Sequence, residues 1–83
     1  MPGATTIREA VLECFRAHGD AELPLRQVEE WVASEYPGRW APVYADVSAL
    51  VIGCTDGTYR STDQFLDRVR RGVYRLGEGY RTT

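Results

Sequence analysis

Arg70 and Arg71 stand side by side ahead of Gly72, inside the stretch Phe65-Leu66-Asp67-Arg68-Val69-Arg70-Arg71-Gly72-Val73-Tyr74-Arg75-Leu76. A guanidinium is a planar fork of N–H donors that matches two oxygens of a phosphate, so paired arginines at a turn suit the grip of a phosphate backbone. Each such contact releases counterions and makes binding depend on salt. Arg39, Arg60, Arg68 and Arg75 can add to the same basic side. The plainer alternative is that charge at a hairpin tip keeps a sheet edge soluble. Tyr59 beside Arg60 could stack on an unpaired base, or fold over the core. Trp40 beside Arg39 could border a nucleotide site, or sit at a helix junction.

All ten basic residues are arginine and the formal net charge is -2, which argues against a nonspecific polyanion binder. The average conceals an asymmetry. Residues 1–36 hold three arginines against seven acidic residues, net -4, while residues 37–83 hold seven arginines against five, net +2. Basic charge thus collects in the later half, where it can meet a polyanion.

Catalytic patterns are missing. His18 is the single histidine and falls where a ring can cap the carbonyls at a helix end. No G-x-S-x-G or Walker-type loop occurs, and Gly53-Cys54-Thr55-Asp56-Gly57 lacks the lysine of a phosphate cradle. Glu29 and Glu30 are adjacent, so on a helix they point about 100° apart and form a solvated face. Cys14, Cys54 and one histidine do not complete a four-ligand zinc site. A noncatalytic protein with no metal and no cofactor is expected.

These residues need a scaffold. Eighty-three residues make one domain, and a domain of this size buries roughly 60–65% of the surface its unfolded chain exposes. The hydrophobic content of 43% is enough for a folded core. Thr6 and Glu9 have the spacing of a capping box, followed by Ile7, Val11, Cys14, Phe15 and His18 at helical intervals, with Gly19 as the left-handed stop. Glu22-Leu23-Pro24 reads as a short extended connector. A second helix is expected from about Leu25 to Tyr36, with Val28, Trp31 and Val32 inward, ended by Pro37-Gly38. Pro42 can open a third helix, in which Val43, Val47, Leu50, Val51 and Cys54 share one side before Thr55-Asp56-Gly57 ends it. The polar segment Thr58 to Gln64 leads to two strands joined at the arginine turn. Gly72 there supplies a positive φ. The ordered core is expected over about residues 6–76, with a frayed start and a mobile tail at 77–83. No signal-like or membrane-length apolar run appears, so a cytoplasmic location is expected.

The predicted fold is therefore α+β: three helices followed by a two-stranded β-hairpin wing, the order of a winged helix-turn-helix, whose third helix enters the major groove. The outward side of that helix would carry Ala41, Pro42, Ala45, Ser48, Ala49 and Ile52, flanked by Tyr44 and Asp46. With no arginine, asparagine or glutamine there, bidentate readout of purine edges is out of reach, whereas small apolar groups suit the methyl of thymine or 5-methylcytosine. Three fates stay open for this stripe: DNA contact, a dimer or partner interface using Ala45, Ala49 and Ile52, or packing against residues 55–64.

From Trp40 onward the chain resembles winged-helix domains of the HARE-HTH-like group that are fused to restriction endonucleases and related defence proteins. The residues that carry the likeness are Trp40, Val43, Asp46, Leu50, Arg60, Phe65-Leu66, Val69, Arg71-Gly72 and Tyr74-Arg75-Leu76. Where relatives often have an asparagine near the end of the third helix, this chain has Cys54. The resemblance implies binding of double-stranded DNA, sensitivity to modified cytosine (5-methyl or 5-hydroxymethyl), and a fused or partner nuclease or regulator that the domain targets, within restriction-modification. Residues expected to meet DNA are Arg39, Trp40, Pro42, Tyr44, Ala45, Ser48, Ala49, Ile52, Tyr59, Arg60, Arg70 and Arg71.

Overall fold

The capping residues at Thr6 set the first helix. In the computed structural model, which describes residues 3–40, 44–55, 57 and 59–81, the Thr6 hydroxyl accepts the Glu9 backbone N–H at 3.2 Å and α1 runs Ile7–Ala17. The Glu9 carboxylate turns back onto the hydroxyls of Thr5 and Thr6. Gly19 and Asp20 both take left-handed backbone, φ 68° and 61°, and return N–H groups to Arg16 and Phe15. The His18 ring donates from Nδ1 to the Cys14 carbonyl at 2.7 Å, covering an acceptor that the last helical turn leaves open.

Leu23–Pro24, expected as a connector, forms strand β1, after which α2 runs Leu25–Glu35. Pro24 offers no N–H and has extended backbone (φ -69°, ψ 149°), so it ends a strand and opens a helix without wasting a donor. Helix α3 follows at Tyr44–Ala49, then β2 at Leu66–Arg70, β3 at Val73–Leu76 and a 3₁₀ turn at Glu78–Tyr80. The result is a small α+β domain of three helices and a three-stranded antiparallel sheet in the order β1-β3-β2. Leu23 pairs with Tyr74, and the Leu25 N–H donates to the Gly72 carbonyl at 2.8 Å, so the first connector joins the hairpin and makes β3 the central strand.

One sheet face packs on the helices. Leu66, Tyr74 and Leu76 meet Val11, Phe15, Val28, Val32, Val47 and Leu50 in a single core. Both chain ends carry contacts beyond residues 6–76. Ala4 is buried, its N–H donating to the Tyr36 hydroxyl, which itself donates to Glu13. Tyr80 tilts against Phe65 at 6.0 Å, and Arg81 donates to the Leu76 carbonyl at 2.9 Å. Burying these aromatic rings holds segments whose glycines read as flexible in sequence.

The third helix is shorter than its apolar periodicity implies. It ends at Ala49, and Leu50 to Ile52 leave the helical path to pair with the start of β2. The Leu50 carbonyl accepts the N–H groups of Phe65 and Leu66, both at 3.1 Å, and the Ile52 N–H donates to the Leu66 carbonyl at 2.8 Å. Gly53, at φ 92°, turns the chain away. Gln64 fastens this junction: its side chain is 3% exposed, donates to the carbonyls of Ala49 (3.1 Å) and Cys54 (2.7 Å), and accepts the Gly53 N–H at 3.2 Å. Removing the amide would strand three backbone groups. Gln64→Ala is expected to cost about 2–4 kcal/mol, read as a lower urea midpoint at unchanged slope; a loss below about 0.5 kcal/mol would show that the amide does not hold the junction.

Candidate nucleic-acid interface

Two of the three strands decide where the arginines go. Register pairs Leu66 with Leu76 and Arg68 with Tyr74, and cross-strand partners share a face, so Arg68 extends the helix-facing side of the sheet past its buried residues. Between Arg68 and Arg70 the register shifts, and Arg70 pairs with Val73. A bulge of this kind reverses the phase of the strand. Arg70 is thereby turned to the opposite face from Arg68, where its guanidinium meets the Glu22 carboxylate at 3.2 Å. This pair is solvent-exposed and contributes little to stability. Arg71 is exposed at the turn, beside Gly72 at φ 74°.

Arg68 lines an open cleft of about 260 Å³ together with Tyr74 from β3, Ser48 from α3, and Val51 and Cys54 just beyond that helix. The exposed side of α3 and an arginine of the β2-β3 hairpin thus meet on one surface. Ala45 and Ser48 are exposed on α3. Ala49 is not: it is 9% exposed, and a β-carbon built on Gly57 would collide with its methyl group. The loop after the junction therefore lies over Ala49 and removes it from any contact surface, which is the packing alternative for this position. Ile52 is 49% exposed but lies beyond the end of α3, its Cδ1 against Gly77. The stripe Ala45, Ala49 and Ile52 is broken in the middle. Tyr44 is described by its backbone alone, and Pro42 falls outside the described residues.

Arg39 and Trp40 form a separate cluster. The Arg39 guanidinium lies 4.4 Å from the centre of the Trp40 ring and donates to the Ala4 carbonyl at 3.1 Å, while Trp40 tilts on Tyr36 at 5.2 Å. Both side chains thereby fasten the N-terminal segment to the end of α2. The Tyr59 hydroxyl donates to Asp46 at 3.0 Å, and burial together with that bond pushes its pKa up to about 12. Tyr59 packs at the margin of the core, whereas Arg60 is exposed. Neither the Arg39 and Trp40 pair nor Tyr59 is among the residues lining the cleft.

Val51, Cys54 and Tyr74 were not among the residues expected at the interface, and Arg68 was expected only to add to the basic side. The signal for Arg68 was present in alternation from Leu66, but its meaning depends on which strand face meets the helices. Among the described residues no group of three His, Cys, Asp or Glu side chains could hold a metal ion, and no helix is long and apolar enough to cross a membrane.

Two outcomes follow from this packing. Burial raises the Cys14 thiol to about 12, while Cys54 is half-buried at the cleft, so a thiol reagent should label one cysteine per native chain and the second only on unfolding; mass spectrometry of the labelled chain would locate it, and equal labelling of both refutes the burial of Cys14. Gly57→Ala should destabilise by about 1–3 kcal/mol, with Ala49→Gly recovering part of the loss in a denaturation double-mutant cycle; additive losses would mean that the two residues do not touch. Comparisons of the chain with protein families, with curated proteins and with solved structures gave no match.

Proposed function

We propose that this chain is a noncatalytic winged-helix domain that binds double-stranded DNA, with the exposed side of α3 in or near the major groove and arginines of the β2-β3 hairpin on phosphate. The observation that carries the reading is the shared cleft, in which Ser48 of α3 and Arg68 of the hairpin face the same opening. A duplex laid across that opening can meet both elements at once. The order of the elements and the sheet order β1-β3-β2 support the winged-helix reading. Charge supports it as well, because the acidic half of the chain builds α1 and α2 while the hairpin carries Arg68, Arg70 and Arg71.

The finer reading is preference for 5-methyl- or 5-hydroxymethylcytosine. Ala45 supports it as a small, uncharged and exposed side chain on α3 where a base-edge methyl or hydroxymethyl group would approach. On this reading the domain delivers a fused or partner nuclease or regulator to modified sites, in the manner of the domains that the segment from Trp40 onward resembles.

Titrating labelled duplexes, unmodified and carrying either modified cytosine, at two salt concentrations tests both levels. Binding that weakens steeply with salt and is tighter for a modified duplex is the expected result. No binding at low salt removes the DNA reading, and equal affinity for all three duplexes removes the modification reading alone.

A further inference from the structure

We propose that Arg68 and Ser48 seat one backbone phosphate of the duplex in the cleft between α3 and the sheet, making Arg68 rather than Arg70 the main phosphate anchor. This inference rests on the DNA reading above and names the group that the cleft takes. Several other arginines are already engaged within the fold. Arg8 donates to the Asp63 carbonyl and lies over Phe65, Arg26 pairs with Glu30, Arg39 holds the Ala4 carbonyl, Arg70 pairs with Glu22, and Arg81 reaches Asp67 and the Leu76 carbonyl. The Arg68 guanidinium makes no hydrogen bond or ion pair with another described residue, yet Arg68 borders a cleft that Ser48 also lines. The bulge at Val69 produces this difference by sending Arg70 to the Glu22 side and leaving Arg68 toward α3.

The cleft suits an anionic oxygen cluster. A guanidinium supplies parallel N–H donors, the Ser48 hydroxyl supplies one more, and the Cys54 thiol is a weak donor on the same wall. Val51 and Tyr74 complete the described lining of the cleft. The opening, about 260 Å³, has room for a phosphodiester group. Among the described residues that line it there is no carboxylate.

The test compares Arg68→Met, Ser48→Ala and Arg70→Ala in duplex titrations across salt concentrations, with each fold checked by circular dichroism. Methionine keeps the apolar stem of Arg68 and removes its donors; both Arg68 and Ser48 are exposed, so neither change disturbs the core. Arg68→Met should weaken binding about tenfold at low salt for every sequence and lower the slope of log K against log salt by about 1, while Arg70→Ala should cost less than about threefold. Ser48→Ala should fall between them. Duplexes with a single neutral methylphosphonate then identify the contact: at one linkage the Arg68→Met penalty should disappear. If wild-type protein binds and Arg68→Met matches it, the anchor is overturned while the DNA reading stands. A penalty that persists at every neutral linkage also overturns it, because Arg68 would then touch bases. Absence of wild-type binding overturns both readings together. Inorganic phosphate supplies the last arm: competition with the duplex by the free ion, lost in Arg68→Met, supports the site, and the same competition retained in Arg68→Met counts against it.

Discussion

The Leu50 carbonyl is the hinge on which this architecture turns. By accepting N–H groups from both Phe65 and Leu66, it takes the chain out of helical pairing one residue after Ala49 and binds the end of α3 to the first residue of β2. A carbonyl has two lone pairs and can satisfy two donors, so the helix gives up its next turn without leaving buried polar groups unpaired. Gln64 completes the exchange by covering the Ala49 and Cys54 carbonyls and the Gly53 N–H.

The cleft is a consequence of that short splice. Val51 and Cys54 come to its wall because the chain turns at Gly53 rather than continuing as a helix. Ser48 reaches it from the last exposed position of α3, and the sheet contributes Arg68 and Tyr74 as a cross-strand pair. A one-residue irregularity at Val69 then determines the division of labour among the basic side chains: one guanidinium faces the helix and the next is drawn to Glu22.

Much of the fold was legible along the chain. Thr6 with Glu9 marked the start of α1, Gly19 its stop, Val28 and Val32 the buried side of α2, and Arg71-Gly72 the hairpin turn, because each depends on interactions within a few residues. Two places were not legible in the same way. The spacing of Val47, Leu50, Val51 and Cys54 fits two continuous turns of helix, yet an apolar run can be buried equally well as helix followed by bridge, and periodicity cannot distinguish them. The pairing of Leu23-Pro24 with β3 joins residues about fifty positions apart, and local propensity carries no information about such a partner.

By itself the sequence determined the identity and rough order of the elements, the uneven charge of its two halves, the absence of familiar catalytic patterns and the turn that carries Arg71 and Gly72. Only the tertiary structure decided which arginine faces the helix, that Ala49 lies beneath Gly57, and that Arg39 and Trp40 fasten the N-terminal segment. The physical reason is the same in each case. Side-chain direction depends on strand register and on what packs against a surface, both set by contacts between residues far apart in the chain, and a shift of one residue in register exchanges one face for the other.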